Sequence, residues 1–251
     1  MRREFTSLLL RSALLLASAF AALGCAIVAP QTRRAPHASP TPAANASATP
    51  APRAPEAENI NRSTSEPYAG DLSIFETPDR DRKLQIERVM DTLGIKAGSA
   101  VADIGAGSGW FTVRAARRVG EAGTVYAVEI NKDYIRHIEE RAAREKLPNI
   151  RTVLGREDDP LLPERSVDAV LILKTYHEIG QPIRVLASLR RSMRAGARLG
   201  IIDRNGKGDD HGIDRATVVR EAERAGFALV EEHDFVKPDN MDYFLVFQVR
   251  N

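Results

Sequence analysis

Downstream of residue 77 the chain alternates between short apolar runs and longer amphipathic segments. Near-continuous apolar runs are typical of strands that are buried on both faces of a parallel sheet. Five such strands are predicted, at residues 100–104, 124–128, 150–154, 167–173 and 198–202. Segments with helical periodicity lie between or after them, at residues 110–119, 132–145, 183–193 and 215–225. This alternation predicts an α/β fold with a doubly wound, mostly parallel sheet.

The two ends of this region depart from the simple alternation. At the start, Thr77-Pro78 is a typical helix N-terminus and Gly94 a typical helix end, which predicts a helix ahead of the first strand. At the end, apolar runs at residues 228–235 and 243–249 flank the turn residues Pro238-Asp239-Asn240. So short a connection predicts a C-terminal antiparallel hairpin at the sheet edge, which gives a seven-stranded sheet.

The turn after the first predicted strand is the most informative stretch of the chain. Asp103 is followed by Gly105, Gly107 and Gly109, and a predicted helix begins at once. Glycines are needed where the backbone approaches a ligand closely, and a helix N-terminus after such a turn is typical of nucleotide or nucleoside sites. About twenty residues later the second strand ends in Glu129, where a carboxylate accepts hydrogen bonds from ribose hydroxyls.

The spacing of the glycines distinguishes between nucleotides. A dinucleotide site carries G-x-G-x-x-G and holds a pyrophosphate, whereas this chain has G-x-G-x-G. The carboxylate of Asp103 would repel a pyrophosphate, but it suits the ammonium group of an amino-acid moiety. The glycine spacing and the C-terminal hairpin therefore disfavour a nicotinamide oxidoreductase.

Asp103, the three glycines and Glu129 resemble the first two motifs of the class I S-adenosylmethionine-dependent methyltransferases, and the resemblance runs from about residue 75 to residue 249. It implies a Rossmann-like fold with S-adenosyl-L-methionine as cofactor. Asp103 and the glycines would hold the methionine moiety, and Glu129 the ribose. The loop after the third strand would touch the adenine, with Asp158 as the candidate. That loop reads Gly-Arg-Glu-Asp-Asp where many relatives have Gly-Asp-Ala, so a solvated acidic loop is the alternative.

Tyr176 and His177 are the candidate catalytic residues, because they follow the fourth strand, where this family commonly positions substrate. A histidine there is suited to act as a general base, and an aromatic ring can lie near a sulfonium cation. The alternative is that Tyr176 packs against a pocket wall and that His177 caps the helix near Gln181. The chain lacks the Asn-Pro-Pro-Tyr motif of many amino-group methylating members, so the type of substrate stays open. The expected partner is a small-molecule acceptor.

The loop at residues 205–212 is polar and rich in glycine, and an ordinary connection is favoured over a mobile lid. Asp209, Asp210 and His211 are adjacent rather than at ligand spacing, so no metal site is expected. The composition is ordinary for a globular protein, with 43% hydrophobic and 28% charged residues. A formal net charge of +2 with interleaved signs gives no basic stripe, so no nucleic-acid partner is expected.

The N-terminus resembles a targeting segment. Met1-Arg2-Arg3 precedes an apolar stretch over residues 8–23, and Cys25, the only cysteine, follows it. This arrangement resembles the signal peptide and processing site of a bacterial lipoprotein, although Ala22 stands where leucine is usual. It predicts a membrane-anchored protein that faces the periplasm. The alternative is an uncleaved anchor helix that continues through Ala26-Ile27-Val28.

Residues 26–67 are rich in Pro, Ala, Ser and Thr, and such a segment lacks the apolar area to offset the entropy of ordering. A disordered linker is therefore predicted, followed by one folded domain over residues 68–251. The leading functional hypothesis is an S-adenosylmethionine-dependent methyltransferase. Its alternative is a membrane-tethered, non-catalytic protein that binds the same nucleosides.

Overall fold

The computed structural model describes residues 60–66, 68–207 and 211–250. The predicted signal peptide or anchor at residues 1–25, and the linker up to residue 59, lie outside the described residues. Within the described part of the chain, no helix is both long and apolar enough to cross a membrane.

A seven-stranded sheet forms the centre of the fold, in the order β3-β2-β1-β4-β5-β7-β6. The first five strands pair in parallel, whereas β7 is antiparallel to both β5 and β6. This arrangement confirms the predicted Rossmann-like α/β class with its C-terminal antiparallel hairpin. The strands are β1 Ala100–Ile104, β2 Thr124–Glu129, β3 Ile150–Leu154, β4 Val167–Leu173, β5 Met193–Asp203, β6 Phe227–His233 and β7 Tyr243–Val249.

The helices cover both faces of the sheet, so β1, β4 and β5 carry mostly buried residues on both sides. Two large hydrophobic clusters, one on each face, form the core. The helices are α1 Arg80–Leu84, α2 Ile86–Thr92, α3 Trp110–Val119, α4 Lys132–Glu145, α5 Pro182–Ser192 and α6 Arg215–Arg224.

The predicted first helix is divided in two. Gln85 lies between α1 and α2 with a φ of 52°, in the left-handed region, and its side-chain amide donates to the carbonyl of Phe235 at 3.1 Å. This bond to the C-terminal part of the chain compensates for the break, which the periodicity of Ile86, Val89 and Leu93 gave no reason to expect. Helix α1 also begins after Asp79 rather than at Thr77.

The strand order reverses between β1 and β4, and ligands in open α/β sheets bind beyond the carboxyl ends of the strands at such a point. The predicted site residues lie at or just after the carboxyl ends of β1, β2, β3 and β4. The loops at this end form a crevice, which we call the switch-point crevice.

Residues 60–66 lie against the loop that follows β4. The amide of Arg62 donates to the carbonyl of Gly180 at 2.9 Å, and its guanidinium pairs with Glu221 at 2.6 Å. The amide of Ser65 donates to Glu178 at 2.8 Å. Although these positions belong to the predicted linker, they make specific contacts with the fold.

Candidate functional site

Of the three glycines in the turn after β1, Gly107 is the least crowded. Its φ is 58°, and a Cβ added there would meet only the Phe75 ring, at 3.9 Å. Gly105 differs, because a Cβ at that position would lie 2.2 Å from the side chain of Thr175. Gly109 is the N-cap residue of α3. The backbone at Gly107 is therefore the part of the turn that a ligand can approach.

Glu129, at the end of β2, faces this turn. One carboxylate oxygen accepts the Gly107 amide at 2.7 Å, and the other accepts the Ile130 amide at 3.1 Å. Burial raises the pKa of Glu129, and these backbone hydrogen bonds oppose the shift. A carboxylate has about four acceptor positions, so this one has capacity left for ligand hydroxyls beside Gly107.

Asp103 lies deeper, with only 2% of its surface exposed. Its carboxylate accepts the Thr112 hydroxyl at 2.6 Å. Burial, with the nearby Glu129 charge, raises the pKa of Asp103 to about 7, against the lowering effect of the Thr112 bond. The corner therefore contains two carboxylates that favour a cation or a hydroxyl donor as ligand.

A cover over the glycine turn was missed at the sequence level. Glu76 accepts the Ser108 hydroxyl at 2.6 Å and pairs with Arg141, whose guanidinium also donates to the Ser108 carbonyl at 3.0 Å. Burial raises the pKa of Glu76, but the bonds from Arg141 and Ser108 outweigh it and lower the pKa. These contacts hold the segment that carries Phe75 over the turn. No local motif marks them, because they join residues more than thirty positions apart.

The structure places Asp158 in the loop after β3, with Arg partners on two sides. Its carboxylate lies 3.7 Å from Arg156 and 3.4 Å from Arg184. These ion pairs favour the alternative interpretation of this segment, a solvated acidic loop. The adenine contact remains a prediction.

Tyr176 does not face the switch-point crevice. It is fully buried in the core, and its hydroxyl donates to Glu221 on α6 at 2.7 Å. Burial, reinforced by the Glu221 charge, raises the pKa of Tyr176 well above its usual range, so the hydroxyl stays protonated. This geometry favours the packing alternative for Tyr176.

His177 is buried at the end of β4 and is held by Asp203, at the end of the adjacent strand β5. Its Nδ1 lies 2.9 Å from both Asp203 oxygens, and its amide donates to the same carboxylate at 3.1 Å. Because Asp203 accepts at Nδ1, the other ring nitrogen, Nε2, carries the free lone pair of the neutral imidazole. The His177 ring thus binds Asp203, whereas the helix-cap alternative placed it at the start of α5 near Gln181.

Two further groups meet His177 at its Nε2 side. A carboxylate oxygen of Glu178 lies 3.5 Å from His177 Nε2 and 3.5 Å from His211 Nδ1. We call His177, Glu178 and His211 the histidine cluster. Burial raises the pKa of Glu178, but the hydrogen bond from Ser65 and the two histidines outweigh it and lower the pKa.

A small cavity of about 150 Å³ is lined in part by Phe75. Its lining includes Arg80, Lys83 and Lys174, with Asp239 as the partner of Arg80 at 3.2 Å. Burial, together with the neighbouring Arg80 charge, lowers the pKa of Lys174. The cavity wall is thus richer in cations than in carboxylates.

Comparison with known proteins agrees with this geometry. Residues 101–196 match the protein family described as a methyltransferase domain. The chain is 32% identical over 124 residues to an uncharacterized methyltransferase of Mycobacterium tuberculosis, an alignment that covers 49% of this chain and 47% of the relative. It is 27% identical over 111 residues to the ubiquinone/menaquinone biosynthesis C-methyltransferase of Marinomonas sp., covering 44% of each chain. The chain thus spans less than half the length of these relatives.

A solved S-adenosylmethionine-dependent methyltransferase from Aquifex aeolicus has the same fold, with a TM-score of 0.65 and 24% identity. The superposition covers 71% of this chain and 96% of the other. The family match and the relatives support a methyltransferase, the structural likeness shows the fold, and S-adenosylmethionine is the cofactor that these matches imply. The residues present fit that cofactor, because the open backbone at Gly107 lies beside a carboxylate with acceptor positions to spare.

Proposed function

We propose that this chain transfers a methyl group from S-adenosylmethionine to a small-molecule acceptor. The observation that carries the proposal is the pairing of Glu129 with the glycine turn. A carboxylate 2.7 Å from the amide of Gly107 lies where ribose hydroxyls are expected, and the family match covers both residues. A methyltransferase fold accommodates small or macromolecular acceptors, and the small cavity beside Phe75 favours the former.

When bound, S-adenosylmethionine supplies a methyl group that is already activated. The chain then has to hold the ligand, align the acceptor and exclude water, and alignment alone can lower a barrier by about 7–11 kcal/mol. Glu129 accepts hydrogen bonds from the ribose, and Gly107 offers backbone without a side chain in the way. Asp103 provides the negative charge for an ammonium group. Glu76 and Arg141 hold the cover that keeps water from the turn.

The cationic wall of the cavity beside Phe75 favours an acceptor with a negative charge. Arg80, Lys83 and Lys174 line this cavity, which adjoins the cover of the glycine turn. A cation in a half-buried position attracts a carboxylate or phenolate more strongly than one in water, since solvent screening is weaker there. The acceptor in this proposal is therefore a small organic anion.

The experiment is methyl transfer from labelled S-adenosylmethionine to pairs of acceptors, each a carboxylic acid with its amide. We expect turnover with acids to exceed that with amides. Replacing Lys174 with Met should lower kcat/KM for the acid by about tenfold while leaving the amide unchanged, because one charge-assisted bond is lost.

Calorimetry with S-adenosylhomocysteine and with NAD accompanies the transfer assay. Tight binding of S-adenosylhomocysteine without transfer to any acceptor would indicate the non-catalytic binding protein. Binding of NAD alone would contradict the methyltransferase proposal altogether.

We also propose that the chain is tethered to a membrane and faces the periplasm as a lipoprotein. The support is the sequence of the first 25 residues, in which a basic start and an apolar stretch lead to Cys25. If Cys25 is lipidated after cleavage, Cys25→Ser should accumulate as a heavier, unprocessed precursor. Mass spectrometry of the membrane fraction tests this. Full-length masses for both proteins would favour the uncleaved anchor helix.

A further inference from the structure

The histidine cluster brings three potential metal ligands together. His177 Nε2 and His211 Nδ1 each lie 3.5 Å from the same Glu178 oxygen, and the three atoms all lie within 4.8 Å of one another. With Nδ1 of His177 directed at Asp203, its Nε2 presents a lone pair to a carboxylate. A divalent cation between them would bind both the lone pair and the carboxylate oxygen.

Each member of the cluster is oriented by a group outside it. Asp203, which has no exposed surface, fixes the ring of His177 through Nδ1. The Ser65 amide binds one Glu178 oxygen at 2.8 Å and leaves the other directed at the histidines. Histidine ligands of metals almost always donate their second ring nitrogen to a carboxylate or a carbonyl, and Asp203 has this role towards His177.

The backbone of the loop after β5 places His211 in the cluster. The loop after β5 closes where the Ile213 amide donates to the Arg204 carbonyl at 2.8 Å, and the Arg204 amide binds Asp203 at 2.8 Å. A Cβ at Gly212 would lie 2.9 Å from the Arg204 carbonyl oxygen, so glycine permits this close approach. Asp203 therefore orients His177 and anchors the base of the loop that carries His211.

We propose that His177, Glu178 and His211 bind a divalent transition metal, and that Zn²⁺ is the ion they fit best. Zinc sites with two histidines and one glutamate are common, at metal–ligand distances of about 2.0–2.2 Å. Tetrahedral angles then separate the ligand atoms by about 3.4 Å, close to the two distances of 3.5 Å found here. The carboxylates of Glu178 and Asp203 together balance the charge of a divalent cation.

Three protein ligands leave one position of a tetrahedral ion open. His211 is 68% exposed in its side chain, so the open position is accessible from solvent. A zinc ion with an open position binds water or an anionic oxygen and acts as a Lewis acid. A metal ion at this cluster does not require methyl transfer at the cofactor site.

Metal content is the direct test, with the full-length chain prepared without a polyhistidine tag. After loading with Zn²⁺ and gel filtration, we expect one equivalent of zinc per chain. His211→Ala and Glu178→Gln should each lose at least tenfold in zinc affinity. His211 is exposed and glutamine keeps the shape of Glu178, so both variants should fold.

His233→Ala is the matched control, because His233 also lies beside a carboxylate, with its Nε2 3.0 Å from Glu231, but on β6. This variant should bind as much zinc per chain as the unaltered protein. Equal zinc in His211→Ala and in the unaltered chain would overturn the proposal, as would the absence of zinc from the unaltered chain. A loss of methyl transfer in His177→Ala with no metal in either protein would point instead to the general-base role.

Cobalt replaces zinc as an optical probe of the same site. A four-coordinate spectrum that disappears in His211→Ala is expected from three protein ligands and one water. A spectrum unaffected by His211→Ala would contradict the assignment of the ligands.

Discussion

The cofactor corner and the histidine cluster lie at the same end of the sheet but are built in different ways. The corner uses backbone within one turn, at Gly105 to Gly109, together with Glu129 from the next strand. The cluster uses side chains from the loops after β4 and β5, with a backbone amide from residue 65. A site made from one turn leaves a sequence motif, whereas a site assembled by strand order does not.

The largest effect should come from filling the open side of the corner. Gly107→Val places a side chain where ligand meets backbone, so the affinity for S-adenosylhomocysteine should fall by more than a hundredfold. Gly98→Val is the matched control, because its φ of 81° is equally strained and nothing lies within 4 Å of its Cβ. Calorimetry that gives equal losses for both variants would show strain rather than contact as the cause.

Removing the carboxylate of the corner should have the next largest effect. Glu129→Ala eliminates the acceptor for ribose hydroxyls, and the loss of one charged hydrogen-bonding partner costs about 1.5–3 kcal/mol. The affinity for S-adenosylhomocysteine should fall roughly ten- to hundredfold. Zinc binding by the histidine cluster should not change, and a parallel loss of zinc would show that the two regions are coupled.

Asp103 should make the stability of the corner depend on pH. Its folded pKa of about 7 exceeds the unfolded value, so the cost of its ionisation grows as the pH rises from about 4 to 7. Asp103→Asn removes this cost. The gain in free energy of unfolding should be about 2–3 kcal/mol larger at pH 8 than at pH 5.

Urea denaturation at the two pH values measures the difference. Asp71→Asn is the control, because that carboxylate is exposed and its pKa is lowered by the Ser73 hydrogen bonds. The same pH trend in both variants would exclude Asp103 as its source.

The smallest effect should come from Tyr176, which adjoins the histidine cluster in sequence but is directed into the core. Tyr176→Phe deletes the hydroxyl that donates to Glu221, so about 1 kcal/mol of stability should be lost. Methyl transfer and zinc binding should be unchanged, as judged on the folded variant. A strong loss of turnover at normal stability would restore the catalytic role predicted for this residue.

The sequence predicted the sheet well because its signals are local. Apolar runs and the turn at Pro238-Asp239-Asn240 were sufficient for the seven strands and the terminal hairpin. Strand β5 is longer than predicted and begins at Met193, which pairs with Val167. Exposed residues and an irregularity in the register separate this pair from the apolar run, which pairs with β4 from Arg198 onward. The break at Gln85 depends on a contact with Phe235, far along the chain.

The site residues also differ in whether a local sequence signal predicts them. Gly107 and Glu129 could be found from spacing, since a turn and the next strand fix their separation. The pair of His177 and Asp203 was within reach, because β4 and β5 are parallel neighbours and both residues lie at carboxyl ends. The position of His211 beside His177 could not be predicted, because the closure of the loop after β5 brings these residues together and no local spacing indicates it.

The contacts of residues 60–66 attach the start of the domain to its core. Arg62 pairs with Glu221, whose side chain is only 4% exposed and also holds the Tyr176 hydroxyl. A force applied to the chain before Ile60 would be transmitted to the core through Arg62 and to the histidine cluster through Ser65. A recombinant domain that begins at residue 68 would lack Arg62 and leave Glu221 buried without its cation. Removing one partner of a buried ion pair costs several kcal/mol. A recombinant domain should therefore begin at or before residue 60.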